Sequence, residues 1–230
     1  CRLCPAIPPG LRKAGLRAMP EQTRTDEMSA DGDSGAVDIA FELEGTGLGR
    51  DYSFALMREI ARRLPWIESE PEAGIHPLRS AKTDAGALLL PRRARLVLRL
   101  PRRRGRESMA MCGQNLTVGG HTLRVGAAKV RRLLPIGTLY AHIVTAANDD
   151  EQAFMNDMAC SLRALQTSCD LVCGKRQILR AEPREIVGYS RMLAGLAPED
   201  SILMQRVGLG HSRMLGCGIF VGHKSVAAVG

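Results

Sequence analysis

From Val37 to Glu44 apolar and polar residues alternate. Val37, Ile39, Phe41 and Leu43 fall on one side of an extended chain, and Asp38, Glu42 and Glu44 on the other. A period of two predicts a half-buried strand. EGTGLGR then turns the chain, and the period changes. Leu56, Met57, Ile60, Ala61 and Leu64 recur at helical spacing until Pro65, which ends the helix because it has no N–H to donate. A short strand is expected over residues 75–79, and RLVLRL (95–100) alternates again. RRRGRESMAMCG reads as basic and helical toward its end. LTVGGHTLRV reads as a hairpin whose Gly119 and Gly120 supply the positive φ angles of a tight turn. The order is β-α-β-β-α-β, with a hairpin near its end.

Pro135-Ile136-Gly137 reads as a joint, after which the pattern returns. TLYAHIVT is a strand. DDEQAFMNDMACSLRALQ is a helix with acids in its first turn, where the helix dipole favours them, and a stripe of Phe154, Met155, Met158, Leu162 and Leu165. LVCGKRQILR and EIVGYSRML are strands. LAPEDSILMQRVG is a helix with Pro198 near its start and Gly208 as its stop, and CGIFV is the last strand. Two such units predict an α+β, tandem ferredoxin-like architecture of antiparallel sheets, with domains at 35–134 and 135–230. Each sheet carries helices on one face and is expected to leave the other open, a surface that suits RNA. The same architecture hosts many activities, so it does not choose among them. Residues 1–34, with Pro and Gly clusters and no sustained period, are expected to be a disordered or artefactual tail, Met28 being a candidate true start.

Charge narrows the choice. The formal charge is +8, carried mostly by arginine, whose planar fork suits phosphate, so a polyanionic partner is expected. Aromatic residues are only 3% of the chain, so base stacking is not the main source of affinity. Seven scattered cysteines form no disulfide framework and no zinc-ligand set, which fits free thiols in a reducing cytoplasm. Neither a metal nor a cofactor is expected. No run approaches the ~18 apolar residues of a membrane span.

The most unusual stretch is GLGHSRMLGCGIFVGHK, residues 208–224. Gly208, Gly210, Gly216 and Gly218 stand among His211, Arg213 and Lys224. Glycines let backbone N–H groups approach an anion, so this connection is a candidate phosphate-binding loop. It lacks the Gly-Lys-Ser/Thr order of a nucleotide-binding P-loop. Basic runs elsewhere are candidates for RNA phosphates: Arg92 and Arg93 before RLVLRL, and Arg102, Arg103, Arg104 and Arg106 after it. Lys175 and Arg176 are candidates for a positive groove between the units.

The VDIAFELEG strand, the PWIESEPEAGIHPLRSA segment, the RARLVLRLP strand and the ending VGLGHSRMLGCGIF occur in this order. From about Val37 onward the chain resembles the CRISPR repeat-processing endoribonucleases, the sixth Cas family, and most closely their MYXAN-subtype branch. The resemblance implies metal-free cleavage of CRISPR precursor RNA within each repeat. The 2′-hydroxyl would attack the adjacent phosphate, leaving a 2′,3′-cyclic phosphate and a 5′-hydroxyl. It also implies a hairpin repeat as partner, and further subunits of an interference complex. Such a reaction needs a base, an acid and positive charge at the phosphorane. The resemblance implies that His76, in AGIHP, is the catalytic base. Ser80 and Lys82, which follow it closely, are candidate helpers, as is Tyr52. His211 is expected to touch RNA. Two alternatives stay open: a non-catalytic RNA-binding subunit of such a complex, and a small-molecule sensor on the same fold.

Overall fold

The computed structural model describes residues 35–79, 81–82, 88–146, 150–181 and 184–223. The expected N-terminal tail, Ser80 and Lys224 lie outside them. The first half contains β1 (Ala36–Glu44), β2 (Gly47–Leu48), α1 (Tyr52–Arg63), β3 (Gly74–Ile75), β4 (Ala81–Lys82), β5 (Leu88–Leu89), β6 (Arg95–Pro101), α2 (Gly105–Ser108), β7 (Asn115–Val118) and β8 (His121–Arg132). The second contains β9 (Leu139–Thr145), α3 (Glu151–Ala164), β10 (Asp170–Ala181), β11 (Arg184–Ala194), α4 (Pro198–Val207) and β12 (Val221–Gly222).

Two antiparallel sheets result, ordered β3-β6-β1-β8-β7 and β10-β11-β9-β12. In both, the first strand of the unit lies between the third and the fourth, with the second at the edge. This is the ferredoxin-like order, made twice. A small sheet of β2, β5 and β4 is an addition that the periodicity did not show. The alternation in β1 places Val37, Ile39, Phe41 and Leu43 in the first core, with Leu56 and Ile60 of α1 and Leu96, Leu98 and Leu100 of β6. Phe154, Met158 and Leu162 of α3 anchor a second core with Leu139, Leu193, Met204 and Phe220. Pro65 ends α1 and opens a 3-10 turn, Pro65–Ser69.

Three expectations change. The strand expected over 75–79 is only Gly74–Ile75. The His76 N–H still donates to the Val97 carbonyl at 2.9 Å, but the next donor that could face β6, the Leu78 N–H, goes to Tyr52 Oη at 2.9 Å instead. The strand expected at CGIFV shrinks to Val221–Gly222. Gly216 and Gly218 take φ values of 90° and 65°, outside strand geometry, so residues 208–220 make a compact loop with one 3-10 turn, Arg213–Leu215. The apolar residues of that stretch are buried by folding inward: Cys217 and Phe220 are inaccessible without belonging to a strand.

The third change matters most for function. The face of the first sheet opposite its helix is not open. Asp38 of β1, Arg99 of β6 and Gly74 of β3 are direct cross-strand partners, and so share that face. The loop of the second unit lies on it. A Cβ at Gly74 would collide with Ile219 Cδ1 and reach within 3.5 Å of Arg213 Cβ. RNA therefore cannot lie flat on this part of the sheet. The edge next to β3, where the two units meet, is left as the place for chemistry.

Candidate active site

His76 sits at that edge. It follows Gly74 by two residues, so in extended chain its side chain emerges on the face of Asp38 and Arg99. Its Nε2 lies 3.3 Å from Asp38 Oδ1. Arg99 grips the same carboxylate with two parallel bonds, Nε to Oδ1 at 2.8 Å and Nη2 to Oδ2 at 2.9 Å. The remaining nitrogen, Nη1, donates to the carbonyls of Gln205 at 2.8 Å and Phe220 at 2.6 Å, in the second unit. Arg99 is 1% exposed, so it is a buried cation satisfied on every nitrogen.

The pocket beside His76 is lined by Tyr52, Ser53 and Leu56 of α1, by Ile75 and Pro77, and by Met214 and Leu215 of the loop. The structure thus brings together the GIHP segment and the glycine-rich ending, 140 residues apart in the contact of Arg213 with Ala73. Tyr52 Oη accepts the Leu78 N–H at 2.9 Å, which ties α1 to the residues just after the histidine.

Burial alone would raise the Asp38 carboxyl, but hydrogen bonds from His76 and Arg99 hold it far below the usual carboxylate range. It is an anion at any working pH. Burial pushes the His76 imidazole below its ordinary value. Asp38 partly offsets this, and the cations Arg99 and Arg213 push the same way as burial. The imidazole is therefore neutral at pH 7, the form a general base needs. Burial raises Tyr52, so its phenol keeps its proton. The site's carboxylate is occupied by a guanidinium, and two arginines stand near the imidazole. That field attracts a phosphate and repels a divalent cation. Among the described residues no group of three or more His, Cys, Asp or Glu could hold a metal ion.

The other sequence-predicted residues divide. Arg213 is buried, donating from Nε to the Ala73 carbonyl at 3.4 Å and from Nη2 to the Glu72 and Arg206 carbonyls at 3.3 and 2.9 Å. It latches the loop to the first unit and is not displayed to a ligand, which corrects its assignment as an RNA contact. Backbone N–H groups expected to cradle phosphate are also in use. Those of Gly208, Gly216 and Gly218 donate to the carbonyls of Met204, Arg213 and Ile143, and that of His211 to Thr145 Oγ1. The glycines let the loop pack on itself. A Cβ at Gly218 would strike the Leu209 carbonyl, and one at Gly208 the Gly218 carbonyl. Gly210 and the His211 ring remain exposed, with His211 Nδ1 2.8 Å from Ser212 Oγ.

Arg102, Arg103, Arg104 and Arg106 lie in a short helical run from Arg102 to Met111, with Arg102, Arg103 and Arg106 exposed. Arg103 pairs with Glu70. Arg104 takes Glu107 through Nη1, at 2.9 and 2.7 Å from its two carboxylate oxygens, and covers the Trp66 ring at 4.9 Å. Glu70 begins the stretch that ends at His76, so the arginine run is tethered to the segment that carries His76. Arg92 and Arg93 form an exposed turn at the other end of β6. Lys175 and Arg176 are exposed beside a bulge in β10, a strand that runs next to α1. Lys82 pairs through its backbone with Leu88 in the small sheet.

Asp38 and Arg99 were not singled out from the sequence. Alternation assigned Asp38 to the solvent side of β1, and nothing in RLVLRL separates Arg99 from its neighbours. The available signal was an acid and a base on the polar faces of two predicted strands. Only the register makes them partners.

The sequence and the fold match known proteins. A family profile described as "Cas6 Crispr" matches residues 37–225. The chain belongs to the Cas6 family. A curated relative, the CRISPR-associated endonuclease Cas6 of Myxococcus xanthus (strain DK1622), is 30% identical over 186 residues, covering 80% of each chain. Solved structures share the fold at low identity. A CRISPR associated protein Cas6 aligns with TM-score 0.60 at 13% identity, over 82% of this chain and 100% of its own. A Cas6-related gene product from Pyrococcus furiosus gives 0.59 at 11%, over 83% and 100%. The tandem ferredoxin-like architecture is thus that of Cas6 proteins. No described helix is long and apolar enough to cross a membrane.

Proposed function

We propose that this protein is an endoribonuclease that cuts CRISPR precursor RNA within its repeats, without a metal ion, in the cytoplasm where such transcripts are made. The reading rests on membership of the Cas6 family, and above all on a neutral His76 imidazole at the rim of a pocket shared by α1 and the glycine-rich loop.

In that reaction His76 takes the proton of a ribose 2′-hydroxyl, and the oxygen attacks the adjacent phosphorus. The bond to the 5′-oxygen breaks, giving a 2′,3′-cyclic phosphate on one fragment. The departing oxygen takes up a proton and becomes the 5′-hydroxyl of the other. Tyr52 suits this second transfer: its oxygen accepts the Leu78 N–H and its phenol stays protonated, so its own hydrogen points elsewhere. Lys82 would neutralise charge on the phosphorane, and Ser80 is the second helper suggested by the sequence. Arg102, Arg103, Arg104 and Arg106 would grip the repeat hairpin through its phosphates. Exposed Gly210 and His211 would meet the strand entering the site, and Lys175 and Arg176 would line the groove. Further subunits of an interference complex would receive the product.

His76→Ala tests this. Positioned base catalysis contributes about 10²–10⁴-fold, so single-turnover cleavage of the repeat should fall by that order while binding of a 2′-deoxy repeat stays within a few-fold. A variant that still cuts at the wild-type rate would remove His76 from the chemistry.

A further inference from the structure

We infer that Asp38 is a positioning residue that fixes the tautomer of His76, and that Arg99 ties this carboxylate to the second unit beneath the glycine-rich loop. The inference rests on His76 being the base and adds which of its nitrogens does the work.

An ionised carboxylate only accepts hydrogen bonds. Asp38 is ionised, so the contact at 3.3 Å requires the proton of neutral His76 to be on Nε2. The lone pair is then on Nδ1, and Nδ1 is the nitrogen that can take a proton from RNA. The carboxylate cannot turn away, because both its oxygens are held by Arg99. Arg99 is itself immobilised, with Nη1 on the carbonyls of Gln205 and Phe220. Gln205 lies at the end of α4 and Phe220 at the end of the loop, so the chain Phe220–Arg99–Asp38–His76 runs from the loop's exit to the imidazole. Other polar or charged groups facing His76 or its pocket are Arg99 from β6, Arg213 from the loop, and Tyr52 and Ser53 from α1. Arg213 is fixed by three carbonyls, and Tyr52 by the Leu78 N–H. Arg213, a cation, cannot accept a hydrogen from Nε2, and Asp38 Oδ1 is the acceptor at hydrogen-bond distance from it.

The direct test is nitrogen-15 NMR of the wild-type protein labelled at histidine, with His76 assigned by its absence from His76→Ala. Nitrogen shifts and two-bond couplings at pH 7 should show Nε2 protonated and Nδ1 bare. A proton on Nδ1 would overturn the inference. The second test is Asp38→Asn, whose amide can offer either a donor or an acceptor to the ring. Its single-turnover rate should fall at least tenfold, with 2′-deoxy repeat affinity unchanged, and the acid limb of its pH–rate profile should move to lower pH. An unaltered rate and profile in a folded Asp38→Asn protein would equally overturn it. Asp38→Glu, which restores the acceptor, should recover part of the rate and the wild-type direction of the limb. If Asp38→Asn fails to fold, the NMR result alone decides. The base assignment itself fails differently, by His76→Ala retaining cleavage.

Discussion

A histidine that must accept a proton works only when it carries none, and His76 is held in that state by burial and by nearby guanidinium groups. The sign of the pH dependence follows. Its value in the folded protein lies below the ordinary 6.5, so the neutral form is lost only as pH falls below that point. Single-turnover cleavage should therefore be flat from about pH 7 upward and decline only below about 6.5. A limb above 7 would place the titrating base elsewhere. Asp38 contributes in the opposite sense. Its carboxyl is depressed from 3.8, so the stability it supplies is present above that value and disappears as pH falls through the folded one. Among the thiols, burial pushes Cys217 up to about 12, whereas Cys112 is exposed. At pH 8 a disulfide reagent should modify Cys112 in the native protein and reach Cys217 only after unfolding. Equal rates at both would contradict the burial of Cys217 in the loop.

Among the elements, the loop of residues 208–220 couples the two units, and its glycines divide by what they touch. Gly218 has φ near 65° and its Cβ would strike the Leu209 backbone carbonyl, which cannot swing aside as a side chain could. Gly218→Ala should lower stability in urea by at least the roughly 1–3 kcal/mol of a strained backbone. Gly216 has φ near 90° and a Cβ there would come within 3.2 Å of Pro77 Cγ, next to His76. With His76 as the proposed base, Gly216→Ala should thus slow cleavage as well as destabilise, by displacing the segment that carries it. Much of this architecture was legible in the sequence, since the alternation of β1 and the stripe of α3 state their own geometry. What misled was local. CGIFV carries a strand's apolar residues, but Gly216 before it and Gly218 within it adopt left-handed angles that no hydrophobic pattern reports. The short β3 ends where the Leu78 N–H leaves β6 for Tyr52 Oη, a partner from α1 that the strand pattern does not report.

At the scale of the molecule, the site exists because the two units meet on one sheet face. His76 was visible as a candidate, because the family the chain resembles implies a base in that segment. Asp38 and Arg99 were not, because their roles arise from cross-strand register and from carbonyls more than 100 residues away. Arg213 was misassigned for the same reason: a basic residue in a glycine-rich loop looks available until the other unit covers it. The charge that remains exposed makes a quantitative claim. Replacing Arg102 and Arg103 together by Ala should weaken repeat binding and reduce the slope of log K against log salt by about 0.7–0.9 for each phosphate no longer neutralised. An unchanged slope would move the RNA away from this end of β6. The most direct measurement is to incubate the purified protein with the CRISPR repeat in EDTA and analyse the product ends. Metal-free attack by the 2′-hydroxyl, with His76 as base, predicts one cut per repeat leaving a 2′,3′-cyclic phosphate and a 5′-hydroxyl, absent in His76→Ala. Binding with no cleavage, or cleavage that appears only on adding magnesium and leaves a 5′-phosphate, would contradict it.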